Sequence, residues 1–148
     1  MKLAKICFSL MFLVIASGCK SETAKITGHV TFQGNPIENG KISFDSTDGS
    51  TQGASGEIMD GDYELTLKQV NGKASMVVRI WGFKTTGKKI KAAPGSPGIT
   101  KENELLDEMQ MYIPTEHNSA SKKIVEVKPG KDNHFDFDLK SSSKARPR

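Results

Sequence analysis

The sequence predicts an all-β protein, an antiparallel two-sheet sandwich of about seven or eight short strands. Three observations carry that expectation. Apolar residues recur at every second position, as in Tyr63, Leu65 and Leu67 or Met76, Val78 and Ile80. A period of two puts one set of side chains inside and the other outside. Turn pairs separate the runs: Asp60-Gly61 and Asn71-Gly72 suit tight two-residue turns, which need φ > 0. No stretch reads as a crossover helix. A single open sheet would leave Phe32, Phe44, Leu65, Val78, Phe135 and Phe137 facing water, so two layers face to face is the simplest way to bury them.

The first element is a leader. Lys2 and Lys5 flank an apolar run from Ile6 to Ala16, too short for a span of roughly twenty residues. The run closes on Ala16-Ser17-Gly18-Cys19. Residues 1–18 are read as a signal peptide and 19–24 as a short tether, with the folded domain at 25–139. Ile26 to Phe32 alternates as a strand, with Ile26, Gly28, Val30 and Phe32 on one face. Pro36 cannot donate to a ladder and belongs in a connection or at an edge. Ile37 is expected as a plug behind it, and Asn39-Gly40 as a turn before Ile42 and Phe44.

Asp45 to Ser55 reads as a polar loop. Gly56 to Lys84 reads as three strands joined at the two turn pairs. Thr85 to Thr100 is rich in lysine, Gly and Pro and reads as a long connection. Asp107 to Ile113 has strand period, with Met109 and Met111 expected as core filler. Lys123 to Lys128 and His134 to Leu139 supply the last strands. The tail 140–148 has no core residue and is expected to be disordered.

Composition sets the class. The chain has 148 residues, 36% hydrophobic and 26% charged, with fourteen Gly and six Pro, which suits one soluble domain with many turns. The formal charge of +4 shrinks when Lys2 and Lys5 leave with the leader. Part of what remains sits in the tail, at Lys140, Lys144, Arg146 and Arg148. Basic residues interleaved with aromatics are missing, so nucleic acid is not an expected partner. Both cysteines, Cys7 and Cys19, precede the fold, so the domain rests on its core alone.

Little in the chain reads as chemistry. His29, His117 and His134 lack paired metal-ligand spacing, and Asp45 and Asp48 lack the pattern of a calcium loop. There is no Gly-x-Ser-x-Gly elbow and no phosphate loop leading into a helix. The expectation is a non-enzyme with no cofactor and no metal. The candidate contact surface is Trp81 and Phe83, which flank Gly82, with the lysines Lys88, Lys89 and Lys91 beyond them. Those lysines could meet anionic headgroups or a polyanionic glycan, and a short tether would favour the first.

Two resemblances sharpen this. Ala16-Ser17-Gly18-Cys19 resembles the lipobox of bacterial lipoproteins, with Ala16 where that family usually has Leu. The resemblance implies cleavage before Cys19 and its acylation, hence a chain held at the cell envelope by membrane lipid. Lys20 rather than Asp after the cysteine leans towards the outer membrane, facing periplasm or cell surface. ITGHVTF, the turn with Gly34 and Pro36, Asn39-Gly40 before ISF, Asp60-Gly61-Asp62-Tyr63, GKASMVVRIWGF, and the later YIP, EVKPG and FDFDL together resemble the carboxypeptidase regulatory-like, transthyretin-like domain. It implies an immunoglobulin-like sandwich in a binding or scaffolding role towards an envelope protein or glycan, and it brings no catalytic residues. The alternative is a periplasmic carrier or sensor holding a small hydrophobic ligand between the sheets.

Overall fold

The computed structural model describes residues 22–92 and 105–141. Ten strands run along them: β1 (Glu22–Phe32), β2 (Asn35–Pro36), β3 (Asn39–Ser46), β4 (Ala54–Met59), β5 (Asp62–Val70), β6 (Ala74–Lys91), β7 (Leu105–Met111), β8 (Ile124–Val127), β9 (Asp132–His134) and β10 (Phe137–Leu139). A 3-10 turn at Thr115–His117 is the only helical piece among the described residues. The protein is therefore all-β. The leader, Cys19 with the first half of the tether, residues 93–104 and the tail from 142 lie outside the described residues.

The ladder runs β10-β1-β5-β4-β3-β6-β7, and the sheet curls into a half-barrel. Its bend has a cause in the register. β4 and β5 pair only at Ile58↔Tyr63 and Met59↔Asp62, beside the turn. Asp60 at φ 52° and Gly61 at φ 89° form that turn, as the Asp-Gly pair predicts. Past it β5 turns to β1, from His29↔Asp62 to Glu22↔Val70, while β4 stays with β3.

Alternation fills the concave side. Ile26, Val30, Ile42, Phe44, Tyr63, Leu65, Leu67, Met76, Val78 and Ile80 are all buried, each on the face its period assigned. Ile37 is buried as the expected plug. Rings from distant strands meet there: Phe44 lies 6.2 Å from Tyr63, and Tyr63 stacks on Phe137 at 6.3 Å. Contact of this kind joins apolar burial to the edge and offset geometries that aromatic pairs prefer.

Several expectations need correction. Asn39-Gly40 is not a turn but the start of β3. A Cβ on Gly40 would sit 2.4 Å from the Trp81 carbonyl oxygen, so the glycine serves a close backbone approach. The turn that precedes it is Gln33-Gly34, at φ 53° and 79°. Asn71-Gly72 is a turn but not a hairpin, because β5 and β6 do not pair; they carry the chain between separate parts of the ladder. The strand expected from Ile26 begins at Glu22, so the last tether residues belong to the sheet.

The final strand is really two. Phe135 and Asp136 interrupt it, and β9 and β10 each pair with β1 in parallel, at Lys25↔Asp132 and Val30↔Phe137. The ladder is thus not wholly antiparallel. Asn133 fixes β9: its buried amide donates to the carbonyls of Lys25, Lys128 and Lys131 and accepts from the Lys128 amide. Four bonds satisfy a side chain that would otherwise be costly to bury.

Candidate contact surface along β6

β6 is the longest strand, eighteen residues, and it does two jobs. From Met76 to Phe83 it is flanked by β3. Beyond Phe83 it continues to Lys91 with β7 as its only neighbour among the described residues. Residues 85–91, expected as part of a long loop, are therefore one side of a two-stranded ribbon. Threonines, a lysine run and Gly87 in the left-handed region at φ 79° concealed it. The ladder slips between Thr85 and Lys89, so Gly87 sits in the irregular part.

The ribbon leaves the body at the end where β1 finishes, not where it begins. Phe83 pairs with Asn39, Asn39 with Met59, and the next turn leads to Asp62 opposite His29. Phe32 at the close of β1 packs edge-on against Tyr112 at 5.8 Å, and the Tyr112 amide donates to the Gly82 carbonyl. Glu22 lies at the other end, opposite Val70.

Trp81 and Phe83 are half-buried on the outer face of β6. Their cross-strand neighbours are Lys41 and Asn39 on β3. Phe83 also faces Met111 on β7, and Thr85 faces Met109. The two methionines are 45% and 47% exposed. This corrects their assignment as core filler; only Ile113, past the end of β7, turns inward. Met109 and Met59, the latter 65% exposed, edge a groove of about 730 Å³ lined chiefly by Asn39, Lys41, Glu57, Met59, Phe83 and Met109. A second groove of about 490 Å³ adjoins it, with Trp81, Arg79 and Lys41 at its margin. Arg79 is held there by an ion pair with Asp45, which Ser43 also donates to.

The lysines lie farther along. Lys89 is paired with Asp107 at 2.8 Å. Lys88 and Lys91 are exposed and have no carboxylate partner among the described residues. All five candidate residues thus lie on one strand, but not in one patch: Phe83 is in the groove, Trp81 beside it, and the lysines spread outward along the ribbon. Sequence reasoning missed Met59, Met109 and Met111 as surface groups. Parity held the signal for Met59, since Ile58 inward puts its neighbour outward.

One polar cluster remains, on the outer side of β1. The His29 ring lies 2.7 Å from the Asp62 carboxylate, and the His29 amide donates to Asp136 at 2.7 Å. His134 lies 3.1 Å from the same Asp136 oxygen. No group of three or more His, Cys, Asp or Glu among the described residues is placed to hold a metal. The Tyr63 hydroxyl beneath is buried, donates to the Phe135 carbonyl at 2.8 Å, and is pushed upward by burial first and by Asp136 second. The Thr27 hydroxyl lies 3.3 Å from the other ring nitrogen of His134, and the cluster is a clasp that ties β1, β5 and the β9–β10 junction together.

Asp136 gives that clasp a pH dependence. The His29 amide, and after it the neighbouring histidines, hold its carboxyl below the usual range. A folded pKa below the unfolded one stabilises above roughly pH 4, and the contribution is lost as pH falls through the folded value. Asp136→Asn is therefore expected to lower the melting temperature at pH 7. The gap to wild type should close as both are taken towards pH 2. A gap independent of pH would show that charge at Asp136 is not involved.

No protein-family model matches this chain, and no curated protein matches it.

Proposed function

We propose that the chain is a lipid-anchored envelope lipoprotein whose folded part is a transthyretin-like, carboxypeptidase regulatory-like β-sandwich acting as a non-catalytic binding module. The observation that carries the binding role is the outer face of β6 and its neighbours, where Trp81, Phe83 and the exposed Met59 and Met109 edge grooves rather than fill the core. Side chains of that kind, partly exposed around a concavity, are the usual makings of a contact site. The sandwich reading is supported by the β4–β5 register, which holds only beside its turn, and by the unpaired crossing from β5 to β6. Apolar faces from both parts of the ladder then share one interior. That interior is filled by side chains such as Phe44, Leu67, Met76 and Leu139, so a ligand carried between layers draws no support from it.

The anchor reading rests on the residues before Cys19, which leaves only two positions before β1 begins at Glu22. Two or three acyl chains, at ~0.8 kcal/mol per buried CH₂, would hold the chain to a bilayer almost permanently. Cys19→Ser is expected to move the protein from the membrane pellet to the soluble fraction and to abolish labelling by radioactive palmitate. Identical fractionation of wild type and variant would end the anchor reading.

A further inference from the structure

We propose that the free edge of β6 from Lys84 to Lys91, with the adjoining Met59–Phe83–Met109 groove, accepts an extended acidic segment of a partner protein as an added antiparallel strand. Three features support it. The β3 ladder stops at Asn39↔Phe83, so among the described residues no strand pairs with that side of the next eight residues of β6, which offers backbone donors and acceptors. A strand laid there prolongs the line of β3, and strand addition draws affinity from such main-chain bonds and specificity from nearby pockets. The groove lies where that strand would meet the body, with Met59 and Phe83 ready for apolar side chains.

Charge selects the partner. Lys88 and Lys91 lack carboxylate partners among the described residues, and an acidic strand would supply them. A second copy of this chain is a poor occupant. Antiparallel pairing of two such edges about Gly87 and Lys88 sets Lys84 opposite Lys91 twice, and like charges directly opposite are destabilising. The irregular ladder at Gly87 and the lysines also guard the edge against indiscriminate pairing.

The inference rests on reading the folded part as a binding module, but not on the lipid anchor. The test uses the full chain in non-ionic detergent, so its result stands apart from the Cys19→Ser fractionation. The probes are two fluorescein-labelled eight-residue peptides, one alternating valine with glutamate, the other valine with lysine. Fluorescence anisotropy is expected to show at least tenfold tighter binding of the glutamate peptide, weakening as salt is raised. N-methylation at every second residue on one edge should abolish binding, while the other set of positions tolerates it. The surface variants Lys88→Glu with Lys91→Glu, and separately Met59→Asp, should each weaken binding at least tenfold. Equal binding of the two peptides overturns the proposal, as does indifference to N-methylation. Loss with the lysine variant but not with Met59→Asp would place the strand on the outer edge of β7 and overturn it too. Sedimentation showing a dimer dissociated by the lysine variant would replace the partner strand with a second copy.

Discussion

Phe44→Ala is expected to lower the unfolding free energy by about 3–5 kcal/mol, the range for removing a fully buried phenylalanine. Phe44 has no solvent exposure. It lies on β3, yet its ring reaches Tyr63 on β5 at 6.2 Å and Phe135 at the β9–β10 junction at 6.4 Å. Truncation takes away apolar burial and leaves a space between parts of the ladder that share no hydrogen bonds at that level. Since a domain of this size is stable by only ~5–15 kcal/mol, the variant should melt at least 10 °C lower. Chemical denaturation of both proteins, read by tryptophan fluorescence from Trp81, measures the loss. A change under about 1 kcal/mol would show that the three rings do not form one packed layer.

Gly28→Ala should come next, at about 3 kcal/mol or more, because it asks for space that does not exist. A Cβ there would lie 1.9 Å from the Phe135 carbonyl oxygen and 2.6 Å from its carbon. Those atoms are backbone and are held on two sides. The Phe135 amide donates to the Thr27 carbonyl at 2.9 Å, and the Tyr63 hydroxyl donates to the Phe135 carbonyl. Making room therefore means pushing Phe135 away, losing the tyrosine bond and loosening β9 and β10 from β1. Overpacking costs ~1–3 kcal/mol, and an orphaned buried partner adds ~1–3. Hydrogen exchange should rise first in residues 132–139. Tyr63→Phe is the control, since it removes the bond without the clash and should cost less. If Gly28→Ala melts no lower than Tyr63→Phe, the close approach is not a constraint.

These two positions show what the sequence could and could not say. Phe44 was legible, because Ile42 and Phe44 alternate with polar neighbours and only one face can be dry. Gly28 was assigned to the inward face by the same period, but the reason it must be glycine was not. That reason lies in residue 135, more than a hundred positions away. Parallel pairing of β9 and β10 was equally hidden, since alternation fixes which way a side chain points and not which strand lies beside it. The ribbon failed for a different cause. Outside the body both of its faces are wet, so hydrophobic period no longer distinguishes strand from loop, and local composition read as a connection. The same absence of a dry side explains Met109 and Met111, which keep strand period without being covered. Trp81 and Phe83 were legible as neighbours across Gly82, while the groove that Phe83 shares with Met59 and Met109 needed four strands to be placed.

The polarity of the strands sets a standoff. Phe83 lies level with His29, seven residues along β1 from Glu22, and β6 runs eight residues further. At ~3.3 Å per residue the outermost lysine lies at most roughly 50 Å from the chain's point of entry. Ions screen charge within about 8 Å at physiological strength. If acyl chains on Cys19 grip a leaflet and β1 stands upright from it, Lys88 and Lys91 are far beyond the reach of its headgroups, and the ribbon points like a probe towards whatever lies across the gap.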